Sequence, residues 1–334
     1  MIFDPFSSLI PISMIMVGCC TNVVTLELII KSSQSQGNLI TFFQFLVVAI
    51  ISFFNNIKWK HVGGPFYKPV GFEQRKIPMK IYLLMILVFF SVSVLNNLAL
   101  DYDIALPFHM IFRSSSMIST VVIGTLFWKK KYTFKQIISL SMVTVGIIIA
   151  TISSAPDHKK DFGMGKEKDT FVFVLGLLML TFAMFMSSVL GLIQEHTYNI
   201  YGKDRHKETI FYTHVLPLPF FLIFKEDLYN HMMINNQSSL LDLPFGLGSY
   251  PSLWVYLFLN VITQYICIQG VFILTGKTST LTCTLVISIR KFLSIIISVI
   301  YFNNPFPPTL WISTVLVFVG TFLYSDPFKK KKVE

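Results

Sequence analysis

The chain has 334 residues, 53% of them hydrophobic and 13% charged, with a mean hydropathy of +0.65; an average soluble domain is about 25% charged, so the composition excludes a soluble fold and indicates a polytopic membrane protein. The net charge of +10 does not indicate nucleic acid, because the basic residues fall in short clusters between apolar runs rather than along one soluble face. The 33 phenylalanines suit surface in contact with lipid.

The N-terminus has neither the basic region nor the small-residue cleavage site of a signal peptide, so the first apolar run is expected to be retained. Runs long enough to cross roughly 30 Å of hydrocarbon lie at 8–30, 38–57, 79–100, 104–128, 133–153, 171–194, 208–224, 251–274, 279–302 and 309–325. They predict an all-α membrane protein of ten helices. The seventh run is short and is interrupted by Pro217 and Pro219. The 58–78 stretch, with Gly63-Gly64-Pro65, carries no functional reading. Four cysteines, two of them the adjacent Cys19 and Cys20, have the spacing of neither a disulfide framework nor a metal site, and no chemistry is assigned to them.

Placing both termini in the cytosol assigns the connections alternately, and the basic residues test that assignment. Cytosolic segments then hold Lys58, Lys60, Lys68, Arg75, Lys76, Lys80, Lys129 to Lys131, Lys135, Lys203, Arg205, Lys207, Lys277 and Lys329 to Lys332, which is eighteen of the 27. Luminal segments hold six: Lys31, Lys159, Lys160, Lys166, Lys168 and Lys225. Asn236-Gln237-Ser238 is a glycosylation sequon in a stretch that this orientation makes luminal. The sequence ends Lys331-Lys332-Val333-Glu334, the form of a dilysine retrieval signal of the endoplasmic reticulum.

Three cations remain, and all sit inside apolar runs. Arg113 lies in PFHMIFRSSSMIST, while Arg290 and Lys291 lie near the middle of TCTLVISIRKFLSIIISVIYF. Each costs about 2.5–3.5 kcal/mol on the insertion scale at a helix centre. Snorkelling is difficult from the midplane, and few acids occur in the spans. A water-filled cavity holding an anion is the compensation expected, which makes the protein a carrier of a negatively charged solute.

The halves are related by two landmarks. Gly146 of Val145-Gly146 follows Arg113 by 33 residues, and Gly320 of Val319-Gly320 follows Arg290 by 30. Each cation site is then in the fourth helix of a five-helix half, and an odd number of helices per half requires opposite insertion. The predicted organisation is a first repeat over 1–155, a luminal connection over 156–170, a second repeat over 171–328, and a cytosolic basic tail with the dilysine signal over 329–334.

The segments GCCTNVVTLELI, GNLITFFQFLV, VLNNLALDYDIALPFHMIFRSSSMI, THVLPLPFF, NVITQYICIQGVFILT and LVISIRKFLSIIISVIYFNNPF together resemble the nucleotide-sugar transporters of the drug/metabolite transporter superfamily. Within it, the chain is most similar to the branch that carries UDP-xylose and UDP-N-acetylglucosamine. The resemblance implies ten helices, cytosolic termini, residence in the endoplasmic reticulum or Golgi membrane, and exchange of cytosolic UDP-sugar for luminal UMP. It implies no cofactor, no metal, no nucleic acid and no enzymatic activity, and leaves a homodimer open. A carrier of another anion, such as a different UDP-sugar, a sulfate-donor nucleotide or a triose phosphate, stays open as the alternative. An enzyme would need catalytic acids at a membrane surface, and Asp101 with Asp103 is the nearest approach to that.

A UDP-sugar sets three recognition tasks. Its pyrophosphate calls for cations in a low-dielectric cavity, for which Lys291, Arg290 and Arg113 are the candidates. Adjacent helical residues point about 100° apart, so one of Arg290 and Lys291 is expected to face the cavity more directly. Uracil calls for amides and an aromatic face, with Asn96, Asn97, Gln264, Tyr265 and Tyr212 available. Interhelical bonding is the alternative role of each. Sugar hydroxyls call for neutral partners: Ser114, Gln44, Asn22 and His109. Glu27, inside the first span, is a gating candidate or a counter-charge for Arg113, with a pair to Lys31 one turn on as the other reading.

Overall fold

The computed structural model describes residues 5–325 except 34, 64, 65, 101, 103, 105, 115, 129–132, 155–164, 203, 204, 245–247, 278 and 279. The helices are α1 (Pro5–Ser32), α2 (Gly37–Asn55), α3 (Met79–Leu100), α4 (Leu106–Ser114), α5 (Ser116–Trp128), α6 (Phe134–Ser154), α7 (Gly165–Tyr201), α8 (His206–Val215), α9 (Lys225–Asn236), α10 (Ser252–Lys277), α11 (Thr280–Phe302) and α12 (Pro308–Ser325). Among the described residues, six of these, α1, α2, α3, α6, α7 and α10, are long and apolar enough to cross a membrane. Large apolar side chains such as Leu87, Leu126, Ile152 and Ile300 are exposed on their outer surfaces, as a lipid-facing surface requires.

One predicted run is subdivided. The 208–224 run is α8 followed by a 3-10 helix, Leu218–Phe224. Pro217 and Pro219 explain this, since neither can donate a helical hydrogen bond. Phe221 of that 3-10 helix is buried against Phe42, Phe45 and Phe90. The 104–128 run is described as α4, which carries Arg113, and α5, with residue 115 between them outside the described residues. The 58–78 stretch contains an antiparallel hairpin of β1 (Ile57–Gly63) and β2 (Phe66–Phe72). A second short hairpin, β3 (Leu240–Asp242) with β4 (Ser249–Pro251), precedes α10.

Helix packing rests on close approaches. α6 meets α12 where a Cβ on Gly146 would lie 2.9 Å from Val317 Cγ2 and 3.0 Å from the Ser313 carbonyl oxygen. One on Gly320 would lie 2.8 Å from Val143 Cγ2 and 2.9 Å from the Ser139 carbonyl oxygen. Without a hydrophobic force between helices in lipid, such small-residue contacts supply the packing energy. α1 packs against α10, α6 against α12 and α3 against α7, so helices from the two halves of the chain pair with one another. Cys19 on α1 and Cys267 on α10 are joined as a disulfide. That corrects the expectation that the cysteines form no disulfide framework and carry no chemistry. Their separation of 248 residues gives no spacing pattern to detect.

Candidate functional site

At the centre of the bundle is a cavity of about 420 Å³, within the range of about 300–1,000 Å³ common for small-molecule sites. Its wall is drawn from α1, α2, α3, α4, α7, α10 and α11. Arg113, Arg290 and Lys291 all line it. Arg113 projects an exposed side chain into the cavity, while Arg290 and Lys291 are half-buried. The choice posed between Arg290 and Lys291 does not arise, because long side chains on a helix reach around its face.

The ion pairs among the described residues join Glu27 to Lys31 and Asp227 to His231, and neither involves a cavity cation. Arg290 Nε is buried without a hydrogen-bond partner, as is Nε2 of His109, which also lines the cavity and is 4% exposed. A buried polar atom without a partner is costly. Both atoms are themselves sealed from the cavity, and what faces a guest is three cations with no carboxylate in ion-pair distance among the described residues, a site suited to an anion.

Neutral residues complete the wall. Asn22, Gln44, Asn96, Asn97 and Gln264 line the cavity. Three expected contributors do not. Ser114 is buried and donates to its own helix at the Met110 carbonyl, 2.7 Å away. Tyr212 stacks on Tyr82 with ring centroids 4.8 Å apart, away from the cavity. Tyr265 is half-buried on α10, outside the lining. Residues overlooked in the sequence include Thr41 on α2, Ala183, Met184 and Ser187 on α7, and the disulfide itself. Within the α7 run the Ser187-Ser188 pair was a polar signal, alongside Thr181 and Gln194.

Glu27 lies off the cavity and is 2% exposed. It accepts hydrogen bonds from Ser298 Oγ and Asn304 Nδ2, and lies 3.7 Å from Lys31 Nζ. Lys31 in turn donates to the Phe302 carbonyl at 3.1 Å. The pairing with Lys31 is thus present, and it belongs to a larger polar tie between the end of α1 and the end of α11. Asn236 is exposed at the end of α9 and accepts from Trp254 Nε1 at 2.8 Å. Asp101, Asp103, Lys331 and Lys332 lie outside the described residues.

This geometry, cations and amides around one cavity in a helical bundle, can be set beside known proteins. The model of the UAA transporter family matches residues 7–328. The chain belongs to the UAA transporter family. It is 66% identical over 98% of its length to "UDP-N-acetylglucosamine transporter slc35b4" of Dictyostelium discoideum, covering 94% of that protein. It is 43% identical over 96% of its length to "UDP-xylose and UDP-N-acetylglucosamine transporter" of Danio rerio, again covering 94%. A crystal structure of another protein, 14% identical, shares the fold with a TM-score of 0.53 over 95% of this chain and 97% of that one. As a member of the UAA transporter family, the chain is a transporter of nucleotide-sugar type and not an enzyme.

Proposed function

We propose that this transporter exchanges a cytosolic UDP-sugar, UDP-N-acetylglucosamine or UDP-xylose, for luminal UMP by alternating access. The observation that carries the reading is the cavity itself: three cations and no carboxylate within ion-pair distance among the described residues. A pyrophosphate supplies charge and acceptors together. The printed names of the two relatives supply the uridine and the two sugars.

Electrostatics gives the exchange its logic. In the empty cavity Arg113, Arg290 and Lys291 repel one another, and passage between open states would carry that repulsion through a closed, low-dielectric intermediate. A bound nucleotide cancels the charge and lowers the barrier, so transport in either direction requires a passenger and no ion gradient. Glu27 with Ser298, Asn304 and Lys31 is proposed as a gate element, because it ties the ends of two helices that both reach the cavity wall.

The ten-helix organisation with inverted halves, repeats over 1–155 and 171–328, and both termini in the cytosol is part of the same reading. Reciprocal packing supports it: Ser139, Met142, Val143 and Gly146 of α6 face Ser313, Leu316, Val317 and Gly320 of α12, with every residue the same number of positions after its counterpart. The distribution of basic residues supports the orientation. Residence in the endoplasmic reticulum or Golgi membrane follows from luminal glycosyltransferases being the consumers of such sugars. The test is competition for uptake by the purified, reconstituted protein: UMP and UDP-N-acetylglucosamine inhibit, and AMP and GMP do not. Inhibition by AMP or GMP as strong as that by UMP would transfer the protein to the class of general nucleotide carriers.

A further inference from the structure

Each side-chain amide has a donor end and an acceptor end, and at four cavity-lining amides the protein itself uses the donor end. Asn96 Nδ2 donates to the Val92 carbonyl at 2.7 Å. Asn22 Nδ2 donates to the Asn260 carbonyl at 2.8 Å. A carbonyl can only accept, so both orientations are forced.

The other two are forced one step further out. Asn97 Nδ2 lies 2.8 Å from Thr41 Oγ1, whose own proton is committed to the Gly37 carbonyl at 2.9 Å. Gln44 Nε2 lies 2.7 Å from Asn260 Oδ1, and Asn260 has its amino end on the Asn22 carbonyl at 3.0 Å and on Thr25 Oγ1 at 3.2 Å. In both pairs the cavity residue must therefore be the donor. Among the described residues, the four carbonyl oxygens left over have no protein partner, none is fully buried, and all four residues line the cavity.

We propose that the wall built from α1, α2 and α3 is an acceptor surface that selects ligands whose uncharged part brings N–H and O–H donors, and that the Asn260 side chain is the positioning group that fixes the polarity of Gln44 within it. Asn260 is fully buried and does not line the cavity. Elsewhere in the lining, Arg113, Arg290 and Lys291 offer only donors. The cavity thus demands a ligand that brings both acceptors and donors. Phosphate or pyrophosphate alone satisfies one wall. A uridine nucleotide sugar satisfies both, through uracil N3–H or the sugar hydroxyls. Cytosine has nearly the same outline but an acceptor at N3, and its donor is displaced to the 4-amino group.

The inference rests on the nucleotide-sugar reading, and the experiment separates the two. Uptake by the reconstituted full-length carrier is competed with UDP-N-acetylglucosamine, its N3-methyluridine analogue, and its 3-deoxy and 4-deoxy sugar analogues. At least one analogue is expected to compete about tenfold less well or worse, the order of cost of an acceptor left without its donor. Loss with the methylated base seats the base on this wall, and loss with a deoxy sugar seats the sugar there.

Asn260→Leu frees the amide of Gln44 alone, because Asn22 donates to the Asn260 backbone carbonyl, which the substitution keeps, and should bring the analogue-to-parent ratio towards one for the analogue whose missing donor faces Gln44. Poor folding would lower uptake without moving that ratio. Gln44→Met, which leaves Asn260 in place, should weaken the parent while sparing the affected analogue. Equal competition by parent and all analogues in the natural protein would overturn the acceptor wall. Failure of UDP-N-acetylglucosamine itself to compete would remove the nucleotide-sugar reading and the inference with it.

Discussion

Replacing Lys291 by Met removes one of three like charges from a cavity of about 420 Å³ while keeping the length of the side chain. A sphere of that volume is about 9 Å across, and two unit charges at that separation repel by about 2 kcal/mol at an effective dielectric of 20. The empty variant should therefore be more stable than the natural protein, with a melting temperature higher by about 2–4 °C. The loaded carrier should respond in the opposite sense. A charge-assisted hydrogen bond contributes about 1.5–3 kcal/mol, so KM for UDP-sugar should rise about tenfold to a hundredfold, and stabilisation by UMP should shrink with it. Thermal unfolding in detergent, with and without UMP, and initial uptake rates over a range of substrate concentrations measure both halves. An unchanged KM together with an unchanged melting temperature in the absence of ligand would refute the electrostatic reasoning, because a cation facing other cations and an anionic ligand cannot be neutral to both.

Other perturbations test other levels of the account. Gly320→Ala places a methyl group 2.9 Å from a backbone oxygen that cannot move aside cheaply, so a loss of about 1–3 kcal/mol is expected and would be read as a lower melting temperature; Gly146→Ala should behave alike. Glu27→Ala leaves Ser298 and Asn304 without their buried acceptor and should cost about 1–3 kcal/mol, whereas Lys31→Ala, with a side chain 44% exposed, should cost less than about 1 kcal/mol. The reverse order in unfolding experiments would mean that Glu27 is not held as described. Asn236→Gln should abolish an endoglycosidase-sensitive mobility shift of the protein expressed in eukaryotic cells, and an unaltered shift would place the glycan, or that loop, elsewhere.

The parts legible in the sequence were those with a large physical cost. A charge inside an apolar run must be compensated, so Arg113, Arg290 and Lys291 could be singled out without knowing where their helices pack, and all three line the cavity. Pro217 and Pro219 likewise foretold the irregular stretch that became a 3-10 helix. Residues with cheap alternatives were not legible. Ser114 satisfies its hydroxyl within its own helix, a contact open to any helical serine. Tyr212 finds Tyr82, and nothing in the order of residues distinguishes such a ring from one that stacks on a base. Ala183 and Met184 enter the cavity wall only through the rotation of α7, and the apolar character that places them in a span is shared by their neighbours. The Cys19 to Cys267 bond depends on α1 and α10 meeting, a contact between distant parts of the chain. Asn260 did carry a signal, as a lone amide in LFLNVIT, but its part in orienting other amides is visible only once its partners are known.

The central claim, that the cationic cavity crosses the membrane only when occupied by a nucleotide, is tested most directly by uptake of labelled UDP-N-acetylglucosamine into proteoliposomes prepared with or without UMP inside. Rapid uptake into UMP-loaded vesicles and little into empty ones is the predicted result. Equal uptake into both would contradict it.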